Sequence, residues 1–233
     1  MADDIVTASA PNVVRLTLDD LPDALALQRL VVDGVPANHL IAKSDDDLRA
    51  YLDGDRGLAF GVRGALDGRP DALLALSLLR LLTAEKPLPG PRFPRLPVDE
   101  PACFLENTIV HPEARSRGLH RRLLDARFAA AAERGCRWFA GGAHLANRRS
   151  WSNLLAAGLA IVGIRFDIGY PAIGLLRAVD PRALATDAAD EIAVAADDAS
   201  AHDAALREDR LGVALRADGT VAYRRLVTTG GDA

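Results

Sequence analysis

The sequence predicts a mixed α/β (α+β) fold, and three observations carry that expectation. Apolar, strand-like runs alternate with stretches of helical periodicity from one end of the chain to the other. A strand at 102–110 runs through a short glycine-containing turn straight into a helix. Two pairs of apolar runs, one around Gly169-Tyr170-Pro171 and one around Asp218-Gly219, read as antiparallel hairpins. The 233 residues are 49% hydrophobic, enough for a sizeable core, and aromatics supply only 5%, so the core is largely aliphatic.

The elements follow in order. Val13 to Leu18 reads as a strand; Asp19 and Asp20 then offer an N-cap before Leu21-Pro22. Leu21, Ala24, Leu25, Leu27, Leu30 and Val31 share a helical face that ends near Gly34. Ser44, followed by three aspartates, opens a second helix through Leu48, Tyr51 and Leu52. Gly57 to Arg63 and Ala72 to Leu82 read as strands joined near Asp67-Gly68, although the Leu/Ala run of the second also suits a helix. Six of the 13 prolines fall within 86–101, which excludes helix and central strand there. That stretch is expected to be a lid or binding loop, or an exposed insertion. Ala102 to Val110 is a strand, Leu119 to Arg134 a helix closed by Gly135, and Cys136 to Ala140 a short strand. Arg148 to Ala157 is a short helix closed by Gly158, and Ile161 to Ile168 pairs with Ile173 to Val179. A tail from 180 to 233 holds a strand at Glu191 to Ala195, a helix at Ala201 to Arg207, and a hairpin of Gly212 to Arg216 with Val221 to Leu226. The expected division is a domain at 12–179 and an extension at 180–233, too small to bury much alone and so packed on the core or on a partner subunit, as in a homodimer.

Charge and composition exclude several classes. The net charge of −4 argues against a general nucleic-acid binder. Two cysteines, Cys103 and Cys136, exclude a disulfide scaffold and fit small core residues of a cytoplasmic protein. No basic leader and no apolar run of membrane-spanning length stands out. Metal-ligand spacings, a nucleophile elbow and a complete phosphate loop are all missing from the pattern, so no metal is expected. His39 and His202 carry no pattern; Trp138 and Trp151 read as core anchors.

The chemistry concentrates at 104–124. The strand reaches His111-Pro112, a turn holds Arg115, Ser116, Arg117 and Gly118, and the helix starts with Leu119, His120, Arg121 and Arg122. First-turn N–H groups have no partner within their own helix and carry the positive end of its dipole. With four arginines and no acid at 115–122, such a turn suits a phosphate or pyrophosphate. A solvated basic helix start is the plainer reading of the same residues.

The segment resembles the cofactor motif of the GNAT superfamily of acyl-CoA-dependent N-acyltransferases. Val110, Pro112, Arg115 and Gly118 fall on the family pattern, and His120 stands where members carry glycine or alanine. Asn147 followed by Gly158-Leu159 matches a second family element, and the order of elements from 13 to 179 is similar. The resemblance implies a mostly antiparallel sheet whose parallel fourth and fifth strands splay apart. It implies acetyl-CoA as cofactor, with Thr108, Ile109 and Val110 offering backbone to its arm. Arg115, Arg117, Gly118, Leu119, His120 and Arg121 would surround its pyrophosphate, with Asn147 and Ser150 on the cofactor side. A primary amine of a small molecule or peptide would attack directly, without nucleic acid, membrane or metal. Family members commonly place an acidic tyrosine where this chain has Leu154. Glu106 and His144 are then the candidate bases, and Tyr170 a candidate acid. The plainer alternatives are a solvent-facing or paired carboxylate and a loop-bonded histidine. A catalytically silent acyl-CoA sensor or scaffold is the rival function.

Overall fold

The computed structural model describes residues 12–36, 39–82, 93–97 and 99–227. Ten strands form one sheet: β1 (Val13–Arg15), β2 (Gly57–Leu66), β3 (Arg69–Leu81), β4 (Ala102–Val110), β5 (Trp138–His144), β6 (Ala160–Arg165), β7 (Ala172–Ala178), β8 (Thr186–Ala195), β9 (Arg210–Leu215) and β10 (Thr220–Leu226). Their order is β1-β2-β3-β4-β5-β7-β6-β9-β10-β8. Each neighbouring pair is antiparallel except β4 with β5. The helices are α1 (Leu21–Val32), α2 (Asp45–Asp53), α3 (Leu119–Ala132), α4 (Arg148–Ala156) and α5 (Ala199–Arg207).

Helices cover both faces. α1 and α2 set Ala24, Leu27, Val31, Leu48, Tyr51 and Leu52 against Ala59, Leu76, Leu78 and Ile109. On the other face one continuous core runs from Leu119 and Leu123 of α3, past Trp151 and Leu155 of α4, to Ala205 of α5. Trp151 anchors it, fully buried, with its indole N–H donated to Leu145 O at 2.8 Å. The free thiols of Cys103 and Cys136 belong to the same core.

The ambiguous Leu/Ala run proves to be β3, because β2 and β4 pair with it on either side. Several bounds differ from the sequence expectation. β5 begins at Trp138 and continues through Gly141-Gly142 to His144, since β7 supplies a ladder partner for each of those residues. β1 stops at Arg15, with a turn of 3-10 helix at Leu18–Asp20, and β6 stops at Arg165, whose guanidinium turns to Asp167. In the proline-rich stretch, 83–92 and 98 lie outside the described residues. Its end does not hang free: Phe93 is buried edge-on to Phe104 and joins Ala140, Val162, Leu176 and Leu211 on the face opposite the α3–α5 core, over strands that α1 and α2 do not cover. Burying such a ring contributes roughly 2–3 kcal/mol.

The tail extends the sheet. β9 meets β6 at Ile161 opposite Gly212, where a Cβ on Gly212 would sit 3.0 Å from both Ile161 Cβ and the Tyr223 ring. Glycine therefore lets the two backbones close at the seam. Val194, Val221 and Tyr223 from the tail then join the α3–α4 core.

What positions the site is the parting of β4 from β5. They pair from Ala102 with Trp138 to Leu105 with Gly141, and no further. β4 stays with β3 to Val110, and β5 stays with β7 to His144. The β3–β4 register shifts at the same level. Leu78 alone lies between Ser77 and Leu79, whereas Glu106 and Asn107 lie between Leu105 and Thr108. This is a β-bulge, which bends β4 and re-aims two side chains where the strands separate.

Candidate functional site

A cleft of about 600 Å³ opens between the parted strands and runs to the start of α3. At its α3 end, Pro112–Ala114 forms a 3-10 turn, then Ser116 and Gly118 take left-handed conformations at φ 65° and 71°. Gly118 is the N-cap of α3 and has no side chain to satisfy the first-turn N–H groups. A Cβ added there would meet nothing within 4 Å, so the hollow above the turn is open. Arg115, Ser116, Gly118, Leu119, His120 and Arg121 line it, joined by Arg149 and Ser150 of α4. Arg117 is not among the lining residues; its guanidinium donates to Glu113 O at 2.9 Å. Arg121 is shared, donating to Asp125 at 3.0 Å and to Ala156 O at 3.2 Å.

His120 leaves the turn intact, although members of the resembling family carry a smaller residue there. Its imidazole lines the cleft with Nδ1 buried and without a hydrogen-bond partner among the described residues. Burial, then the charges of Arg127 and Arg149, pull its pKa down to about 3, so the ring is neutral at physiological pH.

The middle of the cleft is built on the bulge. Arg127 of α3 is 1% exposed and fills the gap that the bulge opens in the ladder. Its guanidinium donates to Leu78 O at 3.3 Å, Glu106 O at 3.2 Å, Leu123 O at 3.4 Å and Thr108 Oγ1 at 2.9 Å. Burial lowers its pKa to about 10, which keeps it charged at neutral pH. Glu106 is ion-paired rather than solvent-facing: Lys43 Nζ lies 2.8 Å from Oε2, and Arg80 Nε lies 3.4 Å from Oε1. The buried Tyr51 hydroxyl lies beside it, and burial together with the Glu106 charge pushes its pKa up. Thr108 and Val110 line the cleft, whereas the Ile109 side chain points into the α1–α2 core, so only its backbone can serve a ligand.

The loop before α2 crosses this end of the cleft. Asn107 Nδ2 donates to Ile41 O at 2.6 Å, and Asn147 Nδ2 donates to His39 O at 3.0 Å. Gln28 holds both the N–H and the C=O of Lys43, at 2.9 and 2.8 Å. Asn147 also caps α4, its Oδ1 accepting from Ser150 N at 3.3 Å.

His144 closes the far wall. Its ring stacks on Tyr170 at 4.5 Å and tilts against His39 at 5.1 Å. Nδ1 accepts from Ala146 N at 2.9 Å. The neutral ring therefore carries its proton on Nε2 and presents a donor. Burial and His39 lower its pKa, reinforcing that neutral form. Leu154 lies at the cleft wall, at the position read as the family tyrosine, and offers no proton.

The structure thus brings Glu106, His144 and Tyr170 into one cleft with the Arg115–Arg121 turn. It adds Lys43, Arg80, Arg127, Arg149 and His39, which the sequence did not single out. Among the described residues no group of three or more His, Cys, Asp or Glu side chains is placed to hold a metal ion. No described helix is long and apolar enough to cross a membrane.

A sheet parted between parallel β4 and β5, with an uncapped helix N-terminus beside the gap, offers a site for an extended, phosphorylated ligand. The acetyltransferase (GNAT) family model matches residues 30–154, more than half of the chain, and the chain belongs to that family. Solved structures agree in fold. The ribosomal-protein-S18-alanine N-acetyltransferase of Escherichia coli is 18% identical, with a TM-score of 0.52 over 72% of this chain and 93% of that one. Arabidopsis thaliana NAA60 in complex with acetyl-CoA is 12% identical, with a TM-score of 0.57 over 72% and 99%. The GNAT domain of S. lividans PAT is 19% identical, with a TM-score of 0.52 over 72% and 89%. No curated protein matches the sequence.

Proposed function

We propose that this chain transfers the acetyl group of acetyl-CoA to a primary amine of a small molecule or peptide by direct attack. One observation carries the reading: the β4–β5 parting and the uncapped, arginine-flanked turn open into the same cleft. The residues fit acetyl-CoA. The open hollow at Gly118, with Arg115, Arg121 and Arg149, suits its phosphates. The β4 backbone from Glu106 to Val110, unpaired toward β5, suits its extended amide-bearing arm. When bound, acetyl-CoA supplies an activated thioester.

Glu106 is the group that takes the proton from the attacking amine. The Nε2–H of His144 donates, and so serves the carbonyl oxygen or the departing sulfur rather than acting as a base. Tyr170 holds that imidazole by stacking and is the second available donor. A second reading, an acyl-CoA sensor without turnover, is favoured by Leu154 at the usual acid position and by the cations already on Glu106. Thermal shift with acetyl-CoA and CoA, followed by a thiol-release screen over amines and peptides, separates the two. Stabilisation with turnover supports transfer; stabilisation without turnover on any amine supports the sensor; no stabilisation overturns both.

A further inference from the structure

The acetyl-transfer reading leaves one amine of the chain itself unexplained. The sequence contains two lysines, Lys43 and Lys86, against 26 arginines. Among the described residues, the other cations around the cleft are guanidinium groups, which stay protonated and do not act as nucleophiles. Lys43 is the exception, and its ammonium lines the cleft. Nζ sits 2.8 Å from Oε2 of Glu106, the first residue past the last β4–β5 pair. Exposure of the two side chains is 18% and 12%, so the amine is shielded from bulk solvent yet faces the cavity. Gln28, 5% exposed, fixes the Lys43 backbone from both sides, so only the side chain can swing.

An amine held against the proton acceptor, at the mouth of the acyl site, has the arrangement of a substrate. We propose that Lys43 is acetylated by its own chain, from acetyl-CoA in the cleft; this rests on the acetyl-transfer reading. The Lys43 ammonium gives a proton to the Glu106 carboxylate or to solvent. Its freed lone pair forms the N–C bond to the acetyl carbonyl carbon. The C–S bond breaks, its electron pair stays on sulfur, and the thiolate takes up the second proton, which the nitrogen sheds on becoming an amide. The products are Nε-acetyl-Lys43 and CoA, with no redox change. Acetylation removes the Lys43 charge, leaving Arg80 as the remaining cation on Glu106 and opening that carboxylate to an external amine.

The test uses the full chain incubated with acetyl-CoA, digested and mapped by mass spectrometry, with acetyl-CoA binding followed in parallel by thermal shift. Lys86 reports uncatalysed labelling. The expected result is acetyl on Lys43 in clear excess over Lys86, lost when the protein is unfolded in urea. Glu106→Gln should slow that labelling by about 100-fold while acetyl-CoA still shifts the melting temperature. Binding without modification of Lys43, or labelling no faster than at Lys86, overturns the proposal and leaves acetyl transfer to external amines standing. Absence of any thermal shift overturns both.

Discussion

Replacing Arg127 by methionine keeps the length of the side chain and removes the fork that stitches the bulge. Leu78 O and Glu106 O, at 3.3 and 3.2 Å, lose their donor, as does Thr108 Oγ1 at 2.9 Å. A buried carbonyl left unsatisfied costs about 1–3 kcal/mol. The variant is spared the desolvation of a buried cation, which offsets part of that loss. A net destabilisation of about 2–3 kcal/mol is expected, lowering the melting temperature by about 5–10 °C for a chain of this size. Arg127→Lys keeps the charge but not the planar fork, and should fall between the two. Urea unfolding and a thermal melt measure both variants. A melting temperature for Arg127→Met within about 1 °C of the parent would refute the reasoning, because the carbonyls at the bulge would then not depend on this guanidinium.

Other outcomes follow from the same geometry. Gly118→Ala places a Cβ at φ 71°, which costs about 1–2 kcal/mol, and the methyl intrudes on the open hollow, so acetyl-CoA binding measured by calorimetry should weaken by about tenfold or more. His120 has a folded pKa of about 3, below its unfolded value near 6.5. Its contribution to stability is therefore full above about pH 6.5 and is lost as pH falls toward about 3, so unfolding at pH 5 should show a deficit of roughly 1–2 kcal/mol that His120→Ala removes. His144→Ala should lower thiol release with little change in acetyl-CoA binding; unchanged turnover would remove its donor from the reaction. Truncation after Val179 strips Val194, Val221 and Tyr223 from the shared core, and we expect an insoluble or strongly destabilised protein, checked by expression and size exclusion.

Local signals in the sequence were enough for much of the fold. The Asp218-Gly219 turn, the Ser44 and Asn147 caps and the strand–turn–helix at 102–134 all depend on neighbouring residues, and all are present. Strand ends were less legible. Gly141-Gly142 reads as a stop, yet β7 pairs with both, and a Cβ on Gly141 would press Leu154 Cδ1 at 3.3 Å. The site was half visible. Its turn and its candidate carboxylate and imidazole lie in recognisable local contexts. Lys43 reaches Glu106 from 63 residues away, and His39 reaches Asn147 from 108. Arg127 looks like an ordinary polar residue on an amphipathic helix, and its burial follows only from a bulge in a neighbouring strand. Such roles come from tertiary packing and leave no periodicity to read.

The seam at Gly212 also bears on how copies of this chain meet. With β9 laid along β6, the sheet ends on β1 and β8. β1 is three residues long, too short to template another strand. β8 carries Asp190 and Glu191, held by Arg210, Arg224 and Arg225, so a second sheet approaching that edge would have to break fixed ion pairs. The tail thus exchanges an apolar β6 border for a charged one, and strand-by-strand growth into aggregates is discouraged at both limits of the sheet.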